Sequence, residues 1–257
     1  MRKSIVALSV LAATAAIPAQ AEYLYGFGNM SVNYLDWTKG TETRSGGFKE
    51  DFVFLELEGG AGFNWGEMYG FIDLENIQDG DNQTATTTKG SITYKLGLGE
   101  TRLFAQTYST QNTGFQARNN VLGLSYAFSG NGWSFNPWIG AHHTTTNDYN
   151  GMNGGMLGWS TSYSFHAFGE SFMVSNWHET EFGRNADYVT VMKKDEKTNE
   201  MFDANGETDD LSYNGAIAFW WNATESLTTG VQWRYAFNKL GGAGNSNAVI
   251  YTLKYNF

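Results

Sequence analysis

Two short stretches bring aromatic rings and carboxylates together at a spacing of two residues. Phe52, Phe54, Glu56 and Glu58 alternate with Val53, Leu55 and Leu57, and Tyr69, Phe71, Asp73 and Glu75 alternate with Gly70, Ile72 and Leu74. A period of two is that of an extended strand, whose successive side chains leave on opposite faces, so each set shares one face. Flat apolar rings beside anionic acceptors suit a neutral solute with one planar apolar part and one hydroxylated part, because the rings stack and the carboxylates accept from hydroxyls. Sets of similar character recur at Asn29, Ser31 and Asn33 with Tyr25 and Phe27, at Arg102, Phe104, Gln106 and Tyr108, at Trp138 with His142, and at Gln232 with Arg234. The same residues support a second reading, in which the rings fill volume and Glu56, Glu58, Asp73 and Glu75 pair with Arg102 and Arg234 to brace a wall.

Other chemistries find less support. The chain has no cysteine, which excludes disulfides, thiolate metal ligands and a cysteine nucleophile. His142 and His143 are adjacent, so on a strand only one could face a metal, and none is expected. Asp203-Ala204-Asn205-Gly206 lacks the ligand spacing of a calcium loop, and Gly26-Phe27-Gly28 opens no helix, so no cofactor is expected either. His166 and the pair His178-Glu179 come without a serine motif, leaving a membrane hydrolase as a remote alternative. With 16 basic against 26 acidic side chains and no basic patch, a nucleic-acid partner is excluded.

The elements that must carry these residues are strands. Arg2 and Lys3 precede an apolar run from Ile5 to Ile17, then Pro18 and Ala19-Gln20-Ala21, which reads as a signal peptide cleaved after residue 21. The run is shorter than the ~20 residues a membrane-spanning helix needs. Residues 22–257 form one domain with no convincing helical period. Leu227, Thr229, Val231, Trp233, Tyr235 and Phe237 alternate with Thr228, Gly230, Gln232, Arg234 and Ala236, and the same pattern recurs to the terminal Phe257. Such segments number about twelve, near 23–36, 51–63, 67–77, 90–97, 101–109, 117–128, 133–143, 154–165, 171–180, 211–221, 227–238 and 248–257. Their connections alternate long and short, and aromatic residues collect beside the short ones, including Phe63 and Trp65, Tyr126 and Phe128, Trp133 and Phe135, and Trp220 and Trp221. An even strand number, long polar loops at one end, tight turns at the other and an aromatic girdle are the layout of a transmembrane antiparallel β-barrel with short periplasmic turns and longer extracellular loops. The mean hydropathy of −0.39 is compatible with this, since lumen residues and loops average away the apolar band. A soluble β-sandwich is the alternative, with shorter strands and its polar faces outside.

Charge gives the sign of the faces, because a carboxylate facing lipid is costly. Val53, Leu55 and Leu57 then face lipid, and Phe52, Phe54, Glu56, Glu58, Tyr69, Phe71, Asp73 and Glu75 face the lumen. Phe27, Arg102, Trp138, Gln232 and Arg234 join them as candidate solute-binding residues. Strand 171–180 carries polar residues on both faces and yields no sign.

Asn33-Tyr34-Leu35-Asp36-Trp37, the stretch from Phe52 through Leu55-Glu56-Leu57-Glu58-Gly59-Gly60 to Tyr69-Gly70-Phe71-Ile72-Asp73-Leu74-Glu75-Asn76, Ser175-Asn176-Trp177-His178-Glu179, and the end at Lys254-Tyr255-Asn256-Phe257 resemble the nucleoside-specific channel-forming Tsx family, in particular its OmpK-type branch. The resemblance spans the chain after residue 21. It implies a monomeric twelve-stranded barrel in the Gram-negative outer membrane, surrounded by lipid, that passes nucleosides or similar small neutral solutes by passive diffusion. It further implies long loops that serve as a bacteriophage receptor. A nucleobase would stack on lumen rings for roughly 1–3 kcal/mol while carboxylates accept from ribose hydroxyls. The alternative of another class is a surface receptor or adhesin barrel with an occluded lumen.

Overall fold

The computed structural model describes residues 21–45, 49–78, 84–190, 192–194, 201–203 and 207–257, with the side chains of 192–194 and 201–203 left out. The expected signal peptide thus lies outside the described residues except for Ala21, as do Ala204, Asn205 and Gly206 of the segment weighed as a calcium loop.

The strands are β1 (Tyr23–Trp37), β2 (Phe52–Phe63), β3 (Gly66–Glu75), β4 (Ala85–Lys95), β5 (Thr101–Gln111), β6 (Gln116–Tyr126), β7 (Phe128–Gly130), β8 (Trp133–Thr146), β9 (Asn150–Ala167), β10 (Glu170–Phe182), β11 (Met192–Lys194), β12 (Met201–Asp203), β13 (Ser212–Asn222), β14 (Leu227–Phe237) and β15 (Asn245–Asn256). Each pairs antiparallel with its neighbour in sequence, β7 continues β6 past Ala127 along β8, and β11 and β12 pair only with each other. The remaining sheet closes where β1 meets β15, from Asn29 opposite Asn256 to Trp37 opposite Ala248. The result is a closed barrel of 12 antiparallel strands, which removes every sheet edge.

All the segments expected from alternation are strands. The largest difference is at β4, which begins at Ala85 and not at 90, because Thr86, Thr87, Thr88 and Lys89 put polar side chains on both faces and hide the period. Short helical turns at Lys39–Arg44 and Ala186–Val189 occupy loops and have no counterpart in the strand pattern.

Residues opposite each other on a ladder share a face, so the sign set by Glu56 propagates around the ring. Ser31, Glu56, Asp73 and Thr87 form one inward row. Burial agrees: inward Ser31, Asn33, His142, Asn153 and Thr252 are buried, whereas outward Leu122 (60%), Leu253 (55%) and Ile139 (54%) are exposed. Polar inside and apolar outside is the inverse of a soluble sandwich and rejects that alternative; the exposed apolar face is a lipid-facing surface. Tyr126, Phe128, Trp133, Tyr163, Trp221 and Tyr255 ring the short-turn end. Trp220 does not belong to that girdle: it is buried, faces the lumen, and lies 4.7 Å from Lys254 Nζ.

The register also signs β10, with Ser175, Trp177, Glu179 and Glu181 inward. Its outward residues Asn176 and His178 are polar but satisfied. Trp159 Nε1 donates to Asn176 Oδ1 at 2.7 Å, and His178 bonds Tyr235 and Thr180 while stacking on Trp159 at 4.3 Å. Membrane-facing aromatics that supply hydrogen bonds let this strand carry polar residues on both faces.

Candidate functional site

The lumen is not uniform. At the long-loop end, inward Leu35, Trp37, Phe54, Ala248 and Ile250 form an apolar cluster with Phe52 and Leu240 against it. Halfway down, Lys89 Nζ on β4 meets Glu179 Oε1 on β10 at 2.7 Å, and Gln106 Nε2 donates to the same oxygen at 3.0 Å. The strands β4 and β10 lie five steps apart around the ring, so this bridge crosses the lumen and divides it. Toward β5–β9 the space is filled: Phe104 stacks on Trp138 at 4.8 Å, with Val121 and Met156 packed beside them.

On the other side of the bridge the walls are polar. Glu58 accepts from Tyr69 Oη at 2.7 Å and from Asn29 Nδ2 at 2.9 Å, and pairs with Lys254 at 3.1 Å. Ser31 Oγ donates to Glu56 at 3.4 Å, while Asp73 Oδ1 is buried with no hydrogen-bond partner. Facing this acidic wall is Trp177 of β10, with Lys89 Nζ 5.9 Å and Arg234 Cζ 5.4 Å from its ring centroid. Arg234 is within electrostatic reach of Asp73, Glu75 and Tyr108. An acidic wall opposite a cation-flanked indole can hold a solute that stacks at one end and donates hydrogen bonds at the other.

All thirteen candidates named from the sequence face inward, but they are not one group. The structure brings together Glu56, Glu58, Tyr69, Phe71, Asp73, Glu75, Gln232 and Arg234 on the polar side of the bridge. Phe71 meets Tyr69 edge-on at 6.4 Å, and Gln232 Nε2 donates to Thr252 at 3.3 Å. Phe52 and Phe54 belong to the apolar cluster above, and Trp138 to the filled half. Phe27 lies half-exposed at the short-turn end, 6.4 Å from Tyr69. Arg102 corrects the bracing scheme: it pairs with Glu67 at 2.7 Å and Glu100 at 3.4 Å at that same end, and Glu58 takes Lys254 instead. Among the described residues no ion pair joins Arg234 to a carboxylate.

Sequence reasoning missed Lys89, Trp177, Glu179 and Lys254. The signal for Trp177 was present, since it sits inside the family-like stretch Ser175–Glu179, but the unsigned strand withheld its direction. His142, weighed as a metal ligand, is buried and bonded to Asn119 at 3.0 Å and Thr144 at 2.9 Å.

Comparison with known proteins agrees with this architecture. The NanC porin structure is 8% identical, covering 88% of this chain and 98% of that one, with a TM-score of 0.51. The KdgM porin is 7% identical over 89% of this chain and 99% of that one, at a TM-score of 0.48. An outer membrane channel from Pseudomonas putida F1 is 13% identical over 93% and 99%, at 0.46. At such identities the NanC likeness is one of fold. The model of the nucleoside-specific channel-forming protein, Tsx, matches residues 32–257, nearly the whole chain. The chain therefore belongs to the nucleoside-specific channel-forming Tsx family, and is an outer membrane β-barrel channel with its short turns in the periplasm and its long loops outside.

Proposed function

We propose that this channel passes nucleosides, or neutral solutes built like them, through the open half of its lumen. The observation that carries this reading is the placement of Trp177, flanked by Lys89 and Arg234, opposite Glu56, Glu58, Asp73 and Glu75. A base stacks on the indole and the adjoining guanidinium plane, and ribose hydroxyls donate to the carboxylates across the gap. Asp73 Oδ1, lacking a partner, is an acceptor held ready for such a donor. The acidic wall repels a phosphorylated solute, so nucleosides pass and nucleotides lag. The family supports the same solute, and the thirteen candidates then divide into direct contacts on the open side and a supporting frame elsewhere. The barrel works as a monomer within outer membrane lipid, with its long loops offering an attachment surface to a bacteriophage.

Liposome swelling tests the solute directly. Vesicles carrying the protein should swell faster in adenosine than in a neutral sugar of similar size, and slower in adenosine monophosphate. Equal rates for adenosine and the sugar would leave a channel but remove nucleoside selectivity.

A further inference from the structure

The extracellular mouth is crossed by an unbroken chain of contacts among loop residues. Tyr149, between β8 and β9, meets Tyr188 edge-on at 5.4 Å, and Tyr188 Oη donates to Glu207 Oε2 at 3.0 Å. Glu207 Oε1 accepts from the Gly241 backbone at 3.0 Å, and the carbonyl of neighbouring Leu240 accepts from Lys49 Nζ, between β1 and β2, at 2.7 Å. The β8–β9 and β1–β2 loops stand on opposite sides of the ring, so the contacts trace a diameter. Beneath them the inward residues His142, Asn153, Glu181 and Ser212 have at most 1% exposure, while Trp177, lower on β10, is partly open. Asn185 N donates to Asn153 Oδ1 at 2.9 Å, which ties the segment after β10 down onto β9.

Charge and not apolar packing holds this strap at its centre. Arg184 donates to Glu181 at 2.8 Å, pairs with Glu207 at 2.5 Å, and donates to the backbone oxygens of Asp209 and Asn238 at 3.2 Å each. Lys239 meets Glu181 at 2.5 Å and lies 3.7 Å from Glu207. Two cations and two anions thus alternate in one buried cluster. Facing it are Tyr188, His142 on β8, Lys49 from the β1–β2 loop and Asp209, whose carboxylate accepts from Asn238. The loop that supplies Lys239 is strained at Leu240, whose φ of 65° lies in a left-handed region costly for a bulky side chain, whereas Asn238 at 47° is of a type that tolerates it.

We infer that segments 183–190, 207–211 and 238–241 form a charge-latched gate across the outer mouth, closed while Arg184 and Lys239 bridge Glu181 and Glu207, and opened when that cluster parts. A polar latch on strained loops suits a gate better than a fixed plug. Removing one member of a buried pair leaves the others uncompensated, so opening becomes favourable and the strain is released.

The test is ionic current through single channels in a planar bilayer without nucleoside, so its outcome is separate from the choice of solute. Arg184→Ala should raise the ratio of open to closed dwell time by roughly a hundredfold. A second variant pins the strap to the barrel. Asn153→Cys with Asn185→Cys provides the only thiols in a chain that has none, and its oxidised form should stay at the low-conductance level until a reductant restores openings. If Arg184→Ala does not fold, the crosslinked variant decides alone. Identical currents from the natural chain and from the oxidised and reduced crosslinked variant would overturn the gate.

Discussion

On the two sides of the Lys89–Glu179 bridge one barrel wall is finished in two ways. Toward β5–β9 the inward face is a hydrophobic core in miniature: Phe104 and Trp138 stack at 18° between planes, and Val121 and Met156 are buried. Gly158 makes room for it, since a Cβ there would stand 2.5 Å from the Trp138 ring. Toward β2–β3 and β13–β15 the inward face carries charges instead, with Glu58 paired along the wall to Lys254 and Arg234 within electrostatic reach of Asp73, one buried acceptor of which is left without a donor. The packed half sets how much of the barrel's cross-section is free. The polar half is where we propose that a solute is selected, and Asp73 Oδ1 is an acceptor there without a partner.

That contrast can be broken most decisively in the packed half. Trp138→Ala should cost about 3–5 kcal/mol of stability, read from urea unfolding in micelles, with nucleoside affinity unaltered. Weakened nucleoside binding at undiminished stability would place the site on the wrong side of the bridge. The two phenylalanines that sequence alone treats alike should then separate. Phe54→Ala, inside the apolar cluster, should lose about 3 kcal/mol of stability. Phe71→Ala should lose about 1 kcal/mol of binding instead. Similar behaviour of both would dissolve the distinction between frame and contact. Glu58→Gln, which leaves Lys254 without its carboxylate partner, should increase adenosine monophosphate entry by roughly threefold, measured by liposome swelling, while adenosine entry barely changes.

The smallest effect concerns pH. The carboxylates Glu181 and Glu207 hold Lys239 above its ordinary value despite burial, and Arg184 is likewise raised. A basic group raised on folding contributes fully below its unfolded value of about 10.4 and loses that contribution only as pH climbs through the folded value. Arg184 and Lys239 therefore stay charged from neutral pH to about 9.5, and any change in dwell time over that range should be a small step near pH 8, where Lys49, lowered by burial to about 8, gives up its proton. Acid that protonates Glu181, held low by Lys239 and Arg184, should mimic Arg184→Ala. Full opening on the alkaline side of neutral would place the latch on other groups.

Much of the barrel was legible because alternation is dictated by lipid on one face and water on the other. Leu55 and Leu57 against Glu56 and Glu58 show it within four residues. The legible part ends where that contrast fades. Thr86–Lys89 is polar on both faces, so the alternation starts its strand at 90, leaves Lys89 outside it and hides the bridge that Lys89 makes. On β10, Asn176 and His178 look like lumen residues until Trp159 and Tyr235 are seen to satisfy them from the membrane side. The strap was beyond reach for a different reason. Its pairings join Arg184 to Asn238 and Lys49 to Leu240, residues 54 and 191 apart, and no local period encodes such contacts.

The central claim is that Trp177 and the carboxylates opposite it form the solute site in the open half. Titrating adenosine onto single channels in a planar bilayer, first the natural chain and then Trp177→Ala, measures it most directly. The block constant should weaken by roughly ten- to a hundredfold in the variant, with open conductance and barrel stability close to unchanged. An equal block constant in both proteins would contradict the account.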